Sequence, residues 1–63
     1  MNKIKHLRVA VEIDVSTNEY IVVQYNRTGW AIMYRCNDGA AARAWQAQYL
    51  KSDTYRRAQI AYR

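Results

Sequence analysis

Apolar and polar residues alternate almost without fault over residues 7–15. Leu7, Val9, Val11, Ile13 and Val15 stand against Arg8, Glu12 and Asp14, with Ala10 the exception. A period of two sends the two sets to opposite faces, which predicts a strand with one face in the core. Ser16-Thr17-Asn18-Glu19 has the Ser-x-x-Glu spacing of a helix capping box. The residues after it, Tyr20-Ile21-Val22-Val23, are aromatic or β-branched and favour a strand instead. Residues 16–19 therefore predict a hairpin turn.

Residues 20–25 are apolar at almost every position, as in a central strand covered on both faces. Asn26-Arg27-Thr28-Gly29 predicts a type I turn with Gly29 left-handed and a bulge, and residues 30–36 a third strand. Asn37-Asp38-Gly39 predicts a helix start, with Asp38 or Asn37 accepting from unpaired N–H groups. Residues 40–51, rich in Ala, Gln, Arg and Leu, continue the helix. At about 100° per residue, Ala41, Ala42, Trp45 and Tyr49 share one face and Arg43 lies nearly opposite. Lys51 falls at the negative end of the helix dipole. Residues 54–63 fit two patterns. As a strand, Ala58, Ile60 and Tyr62 alternate with Arg57, Gln59 and Ala61; as a helix, Tyr55, Ala58 and Tyr62 share a face. With the strand preferred, the expected fold is a single α+β domain over residues 1–63. It has a three-stranded antiparallel sheet, one helix and a C-terminal strand, in the order βββαβ.

Register decides what that sheet exposes, because a slip of one residue exchanges its faces. With an even number of residues in the first turn and the bulge at Gly29, Val11, Ile13, Val15, Tyr20, Val22, Trp30, Ile32 and Tyr34 share one face. The helix would cover it through Trp45 and Tyr49. The opposite face then shows Ile21, Val23, Tyr25 and Met33 beside Arg8 and Arg35, an apolar patch with a basic rim. A monomer of this size does not normally leave such a patch bare, so it calls for a partner, a homodimer mate, or the C-terminal segment folding back.

Composition narrows the class. Of 63 residues 51% are hydrophobic and 24% charged, with two Gly and no Pro, which excludes a disordered or linker segment. The longest apolar run, Trp30-Ala31-Ile32-Met33-Tyr34, is far below the ~18 residues of a membrane-spanning helix. The formal charge is +5. Three basic residues balance three acids up to Asn26, whereas seven face two from Arg27 onward, so the whole excess lies in the second half. Such a surface attracts phosphates or acidic proteins, or simply keeps the chain soluble. A single cysteine allows no intrachain disulfide. No apolar run follows Lys3 and Lys5, so no signal peptide is expected and the location expected is the cytoplasm.

Catalysis is not expected. His6, the only histidine, has no acid or nucleophile beside it in sequence, and acid–base chemistry needs positioned partners. Cys36 precedes a helix start, where a thiol can be activated, but its parity with Trp30, Ile32 and Tyr34 predicts a buried structural thiol. Glu12 and Asp14 share the parity of a solvated strand face rather than a catalytic pair. One His and one Cys do not make the usual four-ligand zinc site, and Gly39 alone makes no phosphate loop. No enzyme activity, metal or cofactor is expected. Nucleic-acid binding has some support in tyrosines interleaved with arginines, Tyr34-Arg35, Tyr55-Arg56-Arg57 and Tyr62-Arg63, since stacking plus phosphate neutralisation serves single-strand binders.

Strands followed by Asn37-Asp38-Gly39-Ala40-Ala41-Ala42-Arg43-Ala44-Trp45-Gln46 and a Tyr-containing terminal segment resemble the layout of small phage-encoded inhibitors, anti-CRISPR proteins and host-polymerase inhibitors among them. The similarity covers residues 30–60 and carries over no functional residue. It implies a protein that works by occupying a surface of a larger host protein or nucleoprotein complex, in the host cytoplasm. The expected function is thus a non-catalytic inhibitor of that kind, with a small basic nucleic-acid-binding regulator as the alternative. Arg35, Arg56, Arg57, Ile21, Val23, Tyr25 and Met33 are the expected partner-binding residues.

Overall fold

A computed structural model describes residues 7–61 and contains three strands and two helices. In chain order these are β1 (Arg8–Asp14), β2 (Glu19–Asn26), β3 (Gly29–Cys36), α1 (Gly39–Leu50) and α2 (Asp53–Ala61). The strands form one antiparallel sheet in the order β1-β2-β3, and α1 packs on all three strands while α2 packs on α1 alone. The class is α+β. Among the described residues no helix is long and apolar enough to cross a membrane.

The β1–β2 turn closes as its residue types require. Asp14 pairs with Glu19 across the ladder, leaving Val15, Ser16, Thr17 and Asn18 as an even-numbered loop. The Asp14 carboxylate accepts from the Ser16 N–H (3.1 Å) and hydroxyl (2.7 Å), and Asn18 takes the left-handed φ of 62° that asparagine tolerates. Val15, counted in the first strand by its parity, belongs to this turn and is exposed.

At the second turn the expectation fails in an informative way. The ladder runs unbroken through Asn26↔Gly29, Tyr25↔Trp30 and Gln24↔Ala31, so Gly29 carries no bulge. Asn26 Oδ1 instead accepts from the Thr28 N–H at 3.0 Å and from its hydroxyl at 2.9 Å, fixing a two-residue turn. The bulge lies four residues on: Val22 pairs with Tyr34 and Val23 with Ile32, leaving Met33 as the extra residue. An extra residue inverts the parity of everything on one side of it. Tyr34 therefore keeps the α1 face with Val11, Ile13, Tyr20 and Val22, while Trp30 and Ile32, expected beside it, stand on the opposite face. Met33, expected on the open face, is the half-buried bulge residue itself.

The expected C-terminal strand is α2. Ser52 caps it: its Oγ accepts from the Tyr55 N–H at 3.1 Å and donates to the Tyr49 carbonyl at 2.6 Å, and Asp53 sits in the favourable first turn. A strand would have needed a sheet edge to pair its backbone, whereas a helix pairs its own. Tyr62 and Arg63 lie outside the described residues.

Helix α1 starts as its sequence predicts, with Asp38 Oδ1 accepting from the Ala40 N–H at 3.1 Å. Its inward side reaches every strand. Trp45 stacks on Tyr34 with centroids 5.2 Å apart and on Tyr49 at 5.1 Å. Tyr49 donates to Gln24 Oε1 at 2.7 Å, and Gln46 Nε2 donates to the Val9 carbonyl at 2.8 Å. Tyr55 of α2 then closes on Tyr49 at 5.5 Å. Ile21, Val22, Val23, Ala42 and Tyr49 are the buried apolar residues among those described.

Candidate binding face of the sheet

The face turned away from α1 carries Arg8, Ala10, Glu12 and Asp14 of β1, Glu19, Ile21, Val23 and Tyr25 of β2, and Trp30, Ile32 and Arg35 of β3. Among the described residues no element packs on it. Its middle is apolar and its largest side chain stands in the open: Trp30 is 65% exposed and Ile32 38%. Both line a groove of about 320 Å³ whose other walls include Glu12, Ile21, Val23 and Tyr25.

Tyr25 shapes this groove. Its hydroxyl donates to Glu12 Oε2 at 2.5 Å, although Tyr25 pairs with Arg8 and Glu12 pairs with Ile21. To span that offset the ring must run along the sheet past Ala10 and Val23, which helps explain why Val23 is only 2% exposed on a face with no described element over it. The Arg8 guanidinium sits over the same ring, 4.4 Å from its centroid, a cation–π contact that holds the ring down. The Glu12 hydrogen bond raises the Tyr25 phenol above its ordinary range, since losing the proton would set two anions side by side.

At the β1–β2 turn end, Arg35 binds two carboxylates through one nitrogen, Asp14 at 3.0 Å and Glu19 at 2.9 Å. Asp14 and Glu19 are cross-strand partners, where like charges repel, and Arg35 relieves the repulsion. The hydrogen bonds from Ser16 first, then from Arg35, hold the Asp14 carboxyl down at about 2 against an ordinary 3.8. A lowered carboxyl contributes stability that is complete above the unfolded pKa and lost as pH falls through the folded one. Acid titration should therefore cost stability between about pH 4 and pH 2, and Asp14→Asn should remove this part of the loss. Parallel acid denaturation of the two proteins, followed by circular dichroism, checks it; identical profiles would disprove the assignment.

The expected partner-binding residues separate in space. Ile21, Val23, Tyr25 and Arg35 share the open face, Met33 is in the bulge, and Arg56 and Arg57 lie exposed on α2, which touches only α1. Arg35 is already engaged by Asp14 and Glu19. No family model, no curated protein and no solved structure matches this chain. Sequence reasoning missed Trp30, Ile32 and Glu12. Nothing in the apolar run of residues 30–34 marks Met33 as extra, so only the ladder shows which way Trp30 turns.

Cys36 shares the α1 face with Tyr20, is half-buried and donates from Sγ to the Asp38 carbonyl at 3.2 Å. His6 lies outside the described residues. Among the described residues no group of three His, Cys, Asp or Glu is placed to hold a metal ion. Of the tyrosines offered for base stacking, Tyr34 is half-buried against Trp45 and Tyr55 half-buried against Tyr49, while Tyr62 lies outside the described residues. Burial raises the Tyr49 phenol above its ordinary range.

Proposed function

We propose that this chain is a non-catalytic binding protein that docks the open face of its sheet on a protein surface, occluding part of a larger host complex. The resemblance to small phage-encoded inhibitors extends the reading to a phage or mobile-element inhibitor acting in the host cytoplasm. The observation that carries it is the exposed Trp30 beside Ile32 and an apolar groove, on a face where no described element packs. Tryptophan next to a desolvated apolar pocket is the usual make-up of an interface hot spot. The face is also close to neutral, with Arg8 and Arg35 against Glu12, Asp14 and Glu19, whereas a phosphate-binding face needs an excess of cations.

Ile32→Lys tests this. The tagged chain, incubated with host lysate, should retain a protein partner through nuclease treatment and through salt of about 0.5 M, because apolar contacts do not depend on counterion release. Ile32→Lys should lose that partner while melting like the parent chain, and Arg56→Gln with Arg57→Gln should keep it. A partner lost on nuclease or salt treatment, and lost in the arginine variants but not in Ile32→Lys, would replace this reading with nucleic-acid binding through α2.

A further inference from the structure

The groove differs in charge from the protein that carries it. The chain has ten Lys and Arg against five Asp and Glu, yet the groove lining includes Glu12 and Asp14 and no Lys or Arg. We infer that the groove receives an arginine side chain presented by the docking partner among apolar residues. This rests on the reading of the sheet face as the docking surface and states what that surface recognises.

The chemistry of the lining selects such a side chain. Arginine has an apolar stem and a planar charged head. Ile32 and the Tyr25 ring offer the stem an apolar bed, floored by the buried Ile21 and Val23, and Trp30 offers an exposed indole face on which a guanidinium stacks well. Of the two carboxylates, Asp14 has both oxygens engaged, Oδ1 by Ser16 and Oδ2 by Arg35. Glu12 is different. The Tyr25 hydroxyl fixes its Oε2, and Oε1 has no hydrogen bond or ion pair among the described residues. A carboxylate held in place before binding loses little entropy when a cation reaches it, and a guanidinium–carboxylate bond is among the stronger hydrogen bonds available. Arg8 does not fill this role, because its guanidinium lies over the Tyr25 ring and is not part of the lining. The volume, about 320 Å³, is at the lower end for ligand pockets and suits one side chain rather than a cofactor.

The test uses the full chain, isotope-labelled, and two short probes: acetyl-Leu-Arg-Leu-amide and the same peptide with citrulline, which keeps the shape and loses the charge. The arginine peptide should shift the indole N–H of Trp30 and the methyl signals of Ile21, Val23 and Ile32. It should bind about tenfold or more tightly than the citrulline peptide, the equivalent of one good charge-assisted contact. Glu12→Gln keeps an oxygen for Tyr25 and should bring the two peptides to equal affinity without loss of signal dispersion. Equal affinities in the parent chain, an arginine preference that survives Glu12→Gln, or shifts centred on Asp38 and Asp53 instead would overturn the proposal. So would the same groove signals moving when the protein alone is concentrated, since the occupant would then be a second copy. If the peptides show no preference but Ile32→Lys still loses the partner, the docking face stands and only its arginine anchor falls. If Ile32→Lys keeps the partner, the docking reading itself is wrong.

Discussion

Tyr49→Ala is expected to leave most of the protein unfolded at room temperature. Tyr49 is 9% exposed and sits between Trp45 at 5.1 Å and Tyr55 at 5.5 Å, so its removal weakens the sheet–α1 and α1–α2 contacts together. Large aromatic truncations in a core cost about 3–5 kcal/mol, and a domain this small holds about 5 kcal/mol in all. Tyr49→Phe separates packing from hydrogen bonding. It keeps the ring, strands Gln24 Oε1 without its donor, and should cost only about 1 kcal/mol. Urea denaturation of the three proteins measures both. A Tyr49→Ala variant with an unchanged midpoint would mean that α1 is not held through this residue.

Val23→Lys and Ile32→Lys should behave as opposites, although the two residues are paired on one face of the sheet. Val23 is 2% exposed and Ile32 is 38% exposed. A lysine at Val23 forfeits about 1.5–3 kcal/mol of buried valine before its own desolvation is counted. It must also lift the Tyr25 ring off the sheet, and with it the Glu12 hydrogen bond. The expected result is loss of the cooperative melt. At Ile32 the ammonium reaches water along the open face, and the melt should move little. Thermal melts by circular dichroism decide between them. Similar melts for both variants would show that Tyr25 does not lie over Val23.

The local elements were legible because each has a local cause. The period-two run up to Asp14, the β-branched run after Tyr20 and the Asp38 cap all act within a few residues of themselves, and the structure has β1, β2 and α1 there. Helix α2 was harder to read, because Tyr55 to Tyr62 satisfies both periods. The choice fell to Ser52 and to contact between Tyr55 and Tyr49, and contact with a residue on another element is not a local property.

The composition of the open face was partly legible for a related reason. Ile21, Val23, Tyr25 and Arg35 stand on it as expected, since alternation along β2 is not interrupted and Arg35 lies beyond the bulge. By itself the sequence determined an α+β chain with a central apolar strand and more apolar surface than one short helix can cover. Only the tertiary structure decided that Met33 is the residue left out of the ladder, which turns Trp30 and Ile32 to the open face and closes the groove beside Glu12. The physical reason is that a bulge costs a strand nothing in its own pattern when every residue from 30 to 34 is apolar. Its position is set by what fits best across the ladder and under α1, where Tyr34 meets Trp45.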